Sequence, residues 1–101
     1  MKRVVAILTW SLCVAACAPR QPPVATPADA QRASIPLADL EQGRSLLIRK
    51  CGGCHRPPQP SEHGAAEWPS KLDEMAIRSN LDGDQRRALQ QYLVTMADAK
   101  R

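Results

Sequence analysis

The stretch RKCGGCHRPPQPSEHGAAEWPSKLDEM, residues 49–75, decides how this chain is interpreted. Within it, residues 51–55 read CGGCH, so two thiols and an imidazole lie within five positions. Three chemistries use such a cluster: zinc ligation, thiol–disulfide exchange and covalent attachment of haem. The rest of the sequence has to distinguish between them.

Zinc ligation is the first interpretation. A structural zinc ion is held by four ligands, usually from two closely spaced Cys or Cys/His pairs. The ligands here would be Cys51, Cys54 and His63, with His55 as a crowded fourth. Because the sequence has no second closely spaced pair, it disfavours a zinc site.

Thiol–disulfide exchange is the second interpretation. A redox-active Cys-x-x-Cys pair is typical of a strand–helix junction in an α/β fold. The residues around Cys51 and Cys54 show no alternating strand pattern, and the two cysteines come after a predicted helix. This context disfavours dithiol chemistry.

Covalent haem attachment is the third interpretation, and the sequence favours it. Two cysteines separated by two residues can each form a thioether with one vinyl group of the porphyrin, and the next residue then points its imidazole at the iron. Gly52 and Gly53 suit a backbone that lies close to the ring. The motif predicts one haem c bound through Cys51 and Cys54, with His55 as the proximal iron ligand.

The N-terminus predicts export. Lys2 and Arg3 precede the uncharged run VVAILTWSLCVAA, which is too short to span a bilayer comfortably. Residues 14–17, VAAC, resemble a bacterial lipobox, and an ordinary signal peptide cleaved nearby is the alternative. We predict a lipoprotein signal peptide over residues 1–16, lipidation of Cys17, and a place on the periplasmic side of a bacterial membrane. Which of the two membranes holds the lipid is left open.

The segment after Cys17 is rich in proline and alanine and poor in large apolar side chains. Such a composition cannot bury enough surface to fold. We predict that residues 17–35 are a disordered tether, holding the head at ~50 Å or less from the membrane at ~3.1 Å per residue.

Charge and composition narrow the possible functions of the chain from Cys17 onward. Without residues 1–16 the chain loses Lys2 and Arg3 and carries 12 basic and 10 acidic residues, a net charge of +2. This small excess gives no support to nucleic-acid binding. The predicted domain, residues 36–101, has no Phe, one Trp and one Tyr. A domain this small and poor in core needs a further stabilising group.

Two amphipathic helices flank the motif. The first is predicted over residues 37–50, directly after Pro36, and its apolar face is formed by Leu37, Leu40, Leu46 and Leu47. Gly43 lies on the same face. A glycine inside a helix costs ~1 kcal/mol relative to alanine, so its presence predicts the close approach of another helix.

The last segment of the chain supplies that partner. Asp82 is predicted to cap a helix, with Gln85 three residues later completing a capping box. The apolar face of this helix is formed by Leu89, Tyr92, Leu93 and Met96. We predict that this helix crosses the first one at Gly43.

In these features the chain resembles the small monohaem class I cytochromes c, over roughly residues 37–96. The matching residues are Gly43-x-x-Leu46-Leu47, the CGGCH motif and the terminal LDGDQRRALQQYL. The resemblance implies an all-α fold of about three helices wrapped round one covalent haem, with the first and last helices in contact. The chain is most similar to short cytochrome subunits with a W…M segment after the motif.

The second axial ligand is predicted from that segment. AAEWPSKLDEMAIRS, residues 65–79, indicates a short helix with Trp68, Leu72 and Met75 on one face. In the resembling subunits a methionine seven residues after the tryptophan binds the iron, and Met75 has this spacing. His63 is the alternative ligand, whereas Met96 belongs to the apolar face of the last helix.

Two further roles are predicted near the haem. Trp68 is expected to pack against the porphyrin, with its indole N–H near a propionate. The proximal histidine normally donates its second N–H to a carbonyl, and Pro60 is the candidate acceptor.

These features together predict a one-electron carrier rather than an enzyme. Its partners would be redox proteins: a dehydrogenase, a terminal oxidase or another cytochrome, either in solution or as the accessory subunit of a catalytic protein. The alternative function is a gas-binding or sensory haem domain, which would need an open or labile distal site.

Overall fold

In the computed structural model, residues 21–52 and 56–99 are described, and they form four α-helices and no β-strand. The helices are α1 (Pro27–Ala33), α2 (Leu37–Leu46), α3 (Trp68–Arg78) and α4 (Gly83–Ala97). A π-helical turn, Leu47–Cys51, continues α2, and a 3₁₀ turn, Pro60–Glu62, precedes α3. The predicted all-α class is confirmed for this part of the chain, with four helices where about three were predicted.

Helices α2 and α4 form the centre of the molecule and touch at Gly43. A Cβ atom added to Gly43 would lie 2.3 Å from the carbonyl oxygen of Ala88 and 2.5 Å from Cβ of Tyr92. Only a glycine allows the two backbones to come this close, so the predicted contact is confirmed. The buried side chains around it are Leu40, Leu46, Leu47, Leu89, Tyr92, Leu93 and Met96.

The predicted start of α4 is also confirmed. The Asp82 carboxylate accepts a hydrogen bond from the backbone N–H of Gln85 at 2.8 Å, and the Gln85 side chain accepts one from the N–H of Asp82 at 3.2 Å. These two bonds satisfy donors that the first turn of a helix otherwise leaves unpaired.

The first helix of the predicted pair ends differently from a regular α-helix. It reaches Cys51, but its last five residues, Leu47–Cys51, have π-helical hydrogen bonds. The N–H of Gly52 then donates to the carbonyl of Ile48 at 3.2 Å, and a Cβ on Gly52 would lie only 2.5 Å from that oxygen. The backbone conformation alone therefore requires a glycine at position 52, independently of any group packed against it.

Residues 21–35 differ from the predicted disordered tether. Helix α1 begins with a capping box between Thr26 and Asp29, and Pro22 and Ala25 are buried against the helical pair. Composition missed this because the partners that bury the segment come from distant parts of the chain. Residues 17–20 and the predicted signal peptide lie outside the described residues.

Helix α3 packs on α4 through both apolar and polar contacts. Trp68 and Leu72 are fully buried. From α4, the guanidinium of Arg86 donates to the carbonyl of Pro69 at 3.3 Å and forms an ion pair with Asp73. The first turn of α3 is thereby fixed relative to α4.

Candidate functional site

The described residues place one end of the CGGCH motif. Cys51 is the last residue of the π-helical turn and Gly52 comes directly after it. Gly53, Cys54 and His55 lie outside the described residues, so their predicted roles in haem attachment and iron ligation stay predictions. π-Helical turns within longer helices occur frequently at functional sites.

Cys51 is buried and contacts the end of helix α3. Its thiol is free and the residue is 8% exposed. Burial raises the pKa of the Cys51 thiol, and a hydrogen bond with the side chain of Ser79 partly opposes that rise. A protonated, inert thiol results, which is suited to a structural or attachment role rather than to redox exchange.

Ser79 stands at the C-terminal end of helix α3. Ser79 caps the C-terminus of α3 and donates its backbone N–H to the carbonyl of Met75, one turn earlier. Residues four apart lie on the same face of a helix, so Met75 and Ser79 share one face of α3. The role of Met75 as the distal ligand stays a prediction.

The burial of α3 changes along this face. Trp68 and Leu72 have no exposed surface, whereas Met75 is half-buried and packs at the margin of the core. The predicted apolar stripe is confirmed. Met75, the last residue of this stripe, is the one nearest the C-terminal end of α3.

The contacts of Trp68 differ from the prediction. Its indole N–H donates to the carbonyl oxygen of Pro60 at 2.9 Å, and both residues are buried. The indole is thus bonded to the protein rather than directed toward a haem propionate. The same bond occupies one lone pair of the carbonyl that was predicted to accept from His55.

His63, the alternative ligand, is held at the N-terminal end of α3. Its ring packs edge-on against Trp68, with centroids 4.9 Å apart and planes at 86°. Its Nδ1 lies 3.4 Å from a carboxylate oxygen of Glu67. His63 therefore lies before the start of α3, whereas Met75 lies two turns after Trp68 within the helix.

The donor chemistry of these residues fits a c-type haem. A buried thiol at the first motif position and the thioether of Met75 are the kinds of group that covalent attachment and axial ligation require. Among residues 21–52 and 56–99, no three His, Cys, Asp or Glu side chains converge on a common metal position.

A surface cavity lies elsewhere. It has a volume of about 460 Å³ and is lined by Ile35 and by polar residues of α4, including Arg86 and Gln90. None of the predicted site residues lines it. Its polar, solvated walls do not suit a porphyrin.

Sequence reasoning missed two features of this region. Ser79 has no motif that marks it as a partner of Cys51, since the contact arises only from the packing of α3. The capping box of α1 did leave a pattern, Thr26-Pro-Ala-Asp29, but it lies in a segment whose composition indicated disorder.

The chain matches no protein-family model, no curated protein and no solved structure. None of the helices in the described residues is long and apolar enough to cross a membrane.

Proposed function

We propose that the chain is a one-electron carrier with a single c-type haem, bound through thioethers to Cys51 and Cys54 and ligated by His55 and Met75. The observation that carries the proposal is the CGGCH motif at residues 51–55, whose first cysteine is buried at the end of the helix that precedes it. Met75, a half-buried methionine on α3, supports the proposal as the candidate for the second ligand. When bound, such a haem supplies an Fe(III)/Fe(II) couple that exchanges single electrons.

The residues of the chain would tune this couple in two ways. A thioether opposite an imidazole gives a higher reduction potential than two imidazoles would. The fully buried Trp68 and Leu72 form an apolar wall that keeps water from this side of α3. His55 and Met75 would hold the iron from both sides and leave no position for a substrate, so the proposed role is electron transfer rather than catalysis.

The charge around the motif favours exchange with other proteins. Residues 42–61 contain four Lys or Arg and no Asp or Glu, although the chain without residues 1–16 has a net charge of only +2. Arg49 and Lys50 are exposed beside Cys51, and so is Arg56 after the motif. The proposed partners are redox proteins, a dehydrogenase, an oxidase or another cytochrome, with the head anchored by lipidated Cys17 on the periplasmic side of a membrane.

Two methionine variants test the distal ligand. The mature protein is produced with haem-maturation machinery, and its spectrum is recorded oxidised, reduced, and reduced with carbon monoxide. We expect a c-type band and, in the ferric state, the weak far-red band of methionine ligation. Met75→Leu should abolish the far-red band, whereas Met96→Leu, a buried methionine on α4, should retain it.

Other outcomes point to other functions. A wild-type band that shifts with carbon monoxide indicates a labile distal site and favours the gas-binding alternative. Retention of the far-red band in Met75→Leu refutes Met75 as the ligand. A protein without any haem band refutes the proposal as a whole.

A further inference from the structure

Residues 22–33, here called the strap, are part of the folded head. The strap includes Pro22, Pro23 and helix α1, and it lies across α2 and α4. Pro22 is fully buried, and its carbonyl oxygen accepts a hydrogen bond from Nε of Arg44 on α2 at 2.9 Å. The next carbonyl, that of Pro23, accepts from the hydroxyl of Tyr92 on α4 at 2.5 Å.

The second half of the strap is fastened to α4 as well. Arg32 donates to the backbone carbonyl of Thr95 at 3.0 Å, and it forms an ion pair of 2.9 Å with Asp29. Asp29 in turn accepts from the backbone N–H and the hydroxyl of Thr26. The strap is therefore bonded to the head at three points along its length, two of them directly through α4.

Helix α1 depends on this packing. It has seven residues, and isolated helices shorter than about 12–15 residues are marginal in water. Because α1 cannot persist alone, its helical structure and the contacts of the strap form together. The strap is consequently as stable as the head to which it is bonded.

These contacts shorten the connection to the membrane. The chain enters the packed head at Pro22, five residues after Cys17. Five extended residues span at most about 18 Å, whereas an unfolded segment running to residue 35 would reach ~50 Å at ~3.1 Å per residue. A lipid on Cys17 would therefore hold the point where the chain enters the head within about 18 Å of the bilayer.

We infer that the strap side of the head lies directly on the bilayer, an inference that rests on the proposed lipid anchor at Cys17. Val24, two residues after the entry point, is the apolar side chain nearest to it that is strongly exposed, at 64%. Beside Val24, Pro23 lines a cavity of about 190 Å³ together with Pro60 and Met96. The strap face contacts the surface of the lipid bilayer.

This placement defines the kind of redox partner. A head fixed at the bilayer would favour electron exchange with a protein whose own redox centre lies within one head's width of the same membrane surface. Partners reach it by lateral diffusion along the membrane. A partner confined to the bulk aqueous phase would have access only from the side opposite the strap.

Neutron reflectometry on supported phosphatidylcholine–phosphatidylglycerol bilayers tests the inference with the mature, haem-loaded protein. The comparison variant has 20 Gly/Ser residues inserted between Arg20 and Gln21, which adds an end-to-end distance of about 25 Å. We expect the wild-type protein layer to begin at the headgroups, and the variant to show a water layer between headgroups and protein.

Three results would overturn the inference. The first is a water layer under the wild type as thick as that under the insertion variant. The second is direct contact for both proteins, which would assign the contact to the head surface rather than to the short connection. The third is a mature N-terminal peptide without acyl groups in the mass spectrum, which removes the anchor.

A parallel measurement isolates the strap. Amide hydrogen exchange should be slow at the N–H groups of Ala30 and Ile35, which are bonded to the carbonyls of Thr26 and Ala30. Amide hydrogen exchange at the rate of an unfolded chain would overturn the inference even if Cys17 carries its lipid. The haem spectrum of the same sample distinguishes these failures from a failure of the proposed electron-carrier function.

Discussion

Replacement of Gly43 by alanine should separate the two central helices. The new Cβ would lie 2.3 Å from the Ala88 carbonyl oxygen, and ordinary contact begins at 3.4 Å. The helices must therefore move apart by about 1 Å, because both clashing groups belong to backbone or to a Cβ and no rotamer change relieves the overlap. A gap of this size forfeits a quarter to a half of the dispersion energy across the contact.

The free-energy change results from two opposing effects. Overpacking in a core typically costs up to about 3 kcal/mol. Alanine gains ~1 kcal/mol over glycine in helix propensity. The free energy of unfolding should therefore fall by about 2 kcal/mol. The net stability of a small domain is only ~0.05–0.15 kcal/mol per residue, so this loss would be a large part of the total.

The assay is urea unfolding of the mature, haem-loaded protein, monitored by far-ultraviolet circular dichroism. Gly83→Ala is the matched control, because nothing lies within 4 Å of a Cβ at Gly83 in the first turn of α4. The control should be as stable as the wild type or slightly more stable. If Gly43→Ala and Gly83→Ala unfold at the same urea concentration, the close approach of α2 and α4 does not exist in solution.

The strap and the charge near the motif give three further predictions. Tyr92→Phe removes the hydroxyl that donates to Pro23 and should lower the free energy of unfolding by about 1 kcal/mol; an unchanged urea midpoint would contradict the contact. The pKa of Asp29 is lowered, chiefly by the backbone N–H of Thr26 and also by Arg32. The ionised Asp29 carboxylate thus stabilises the fold fully at pH values above its ordinary pKa. This stabilisation is lost as the pH falls through the lowered pKa that Asp29 has in the folded state. The stability difference between wild type and Asp29→Asn should accordingly shrink below about pH 4, and a difference that stays constant down to about pH 2 would argue against this. Replacing Arg49 and Lys50 together by Glu should slow oxidation and reduction by anionic iron cyanides and accelerate exchange with cationic cobalt complexes, with both effects screened by salt; equal rates for the two proteins would place the redox centre away from these residues.

Much of the fold could be predicted because local patterns specify it. The capping box at Asp82 and Gln85 and the apolar face of α4 depend on residues within one or two helical turns. Gly43 was informative for a similar reason, since a glycine among helix formers points to a close contact. The crossing of the first and last helices can be inferred from these patterns alone.

The strap could not be predicted because its structure depends on distant residues. Pro22 is buried by a helix that carries Arg44, and Pro23 is bonded to Tyr92, 69 positions away. Proline-rich composition indicates disorder only when no partner supplies donors for the exposed carbonyls. Here α2 and α4 supply them.

The candidate site was predictable in its chemistry and not in its arrangement. The spacing of CGGCH predicts the thiols and the imidazole as haem-binding groups, and the spacing from Trp68 predicts Met75; these roles stay predictions. No sequence pattern shows that Ser79 meets Cys51 or that the Trp68 indole is bonded to Pro60. These contacts arise from how α3 packs.

Helix α3 is bonded to α4 at its start and carries Met75, the proposed iron ligand. At its start, Arg86 holds Pro69, and the Trp68 indole is bonded to Pro60. At its end, Ser79 meets Cys51. The start of the helix is thus fixed by polar contacts, and Met75 lies two turns after Trp68 on the same helix. As the proposed iron ligand, Met75 would lie on a helix that need not move when the charge of the iron changes, which is what single-electron exchange requires.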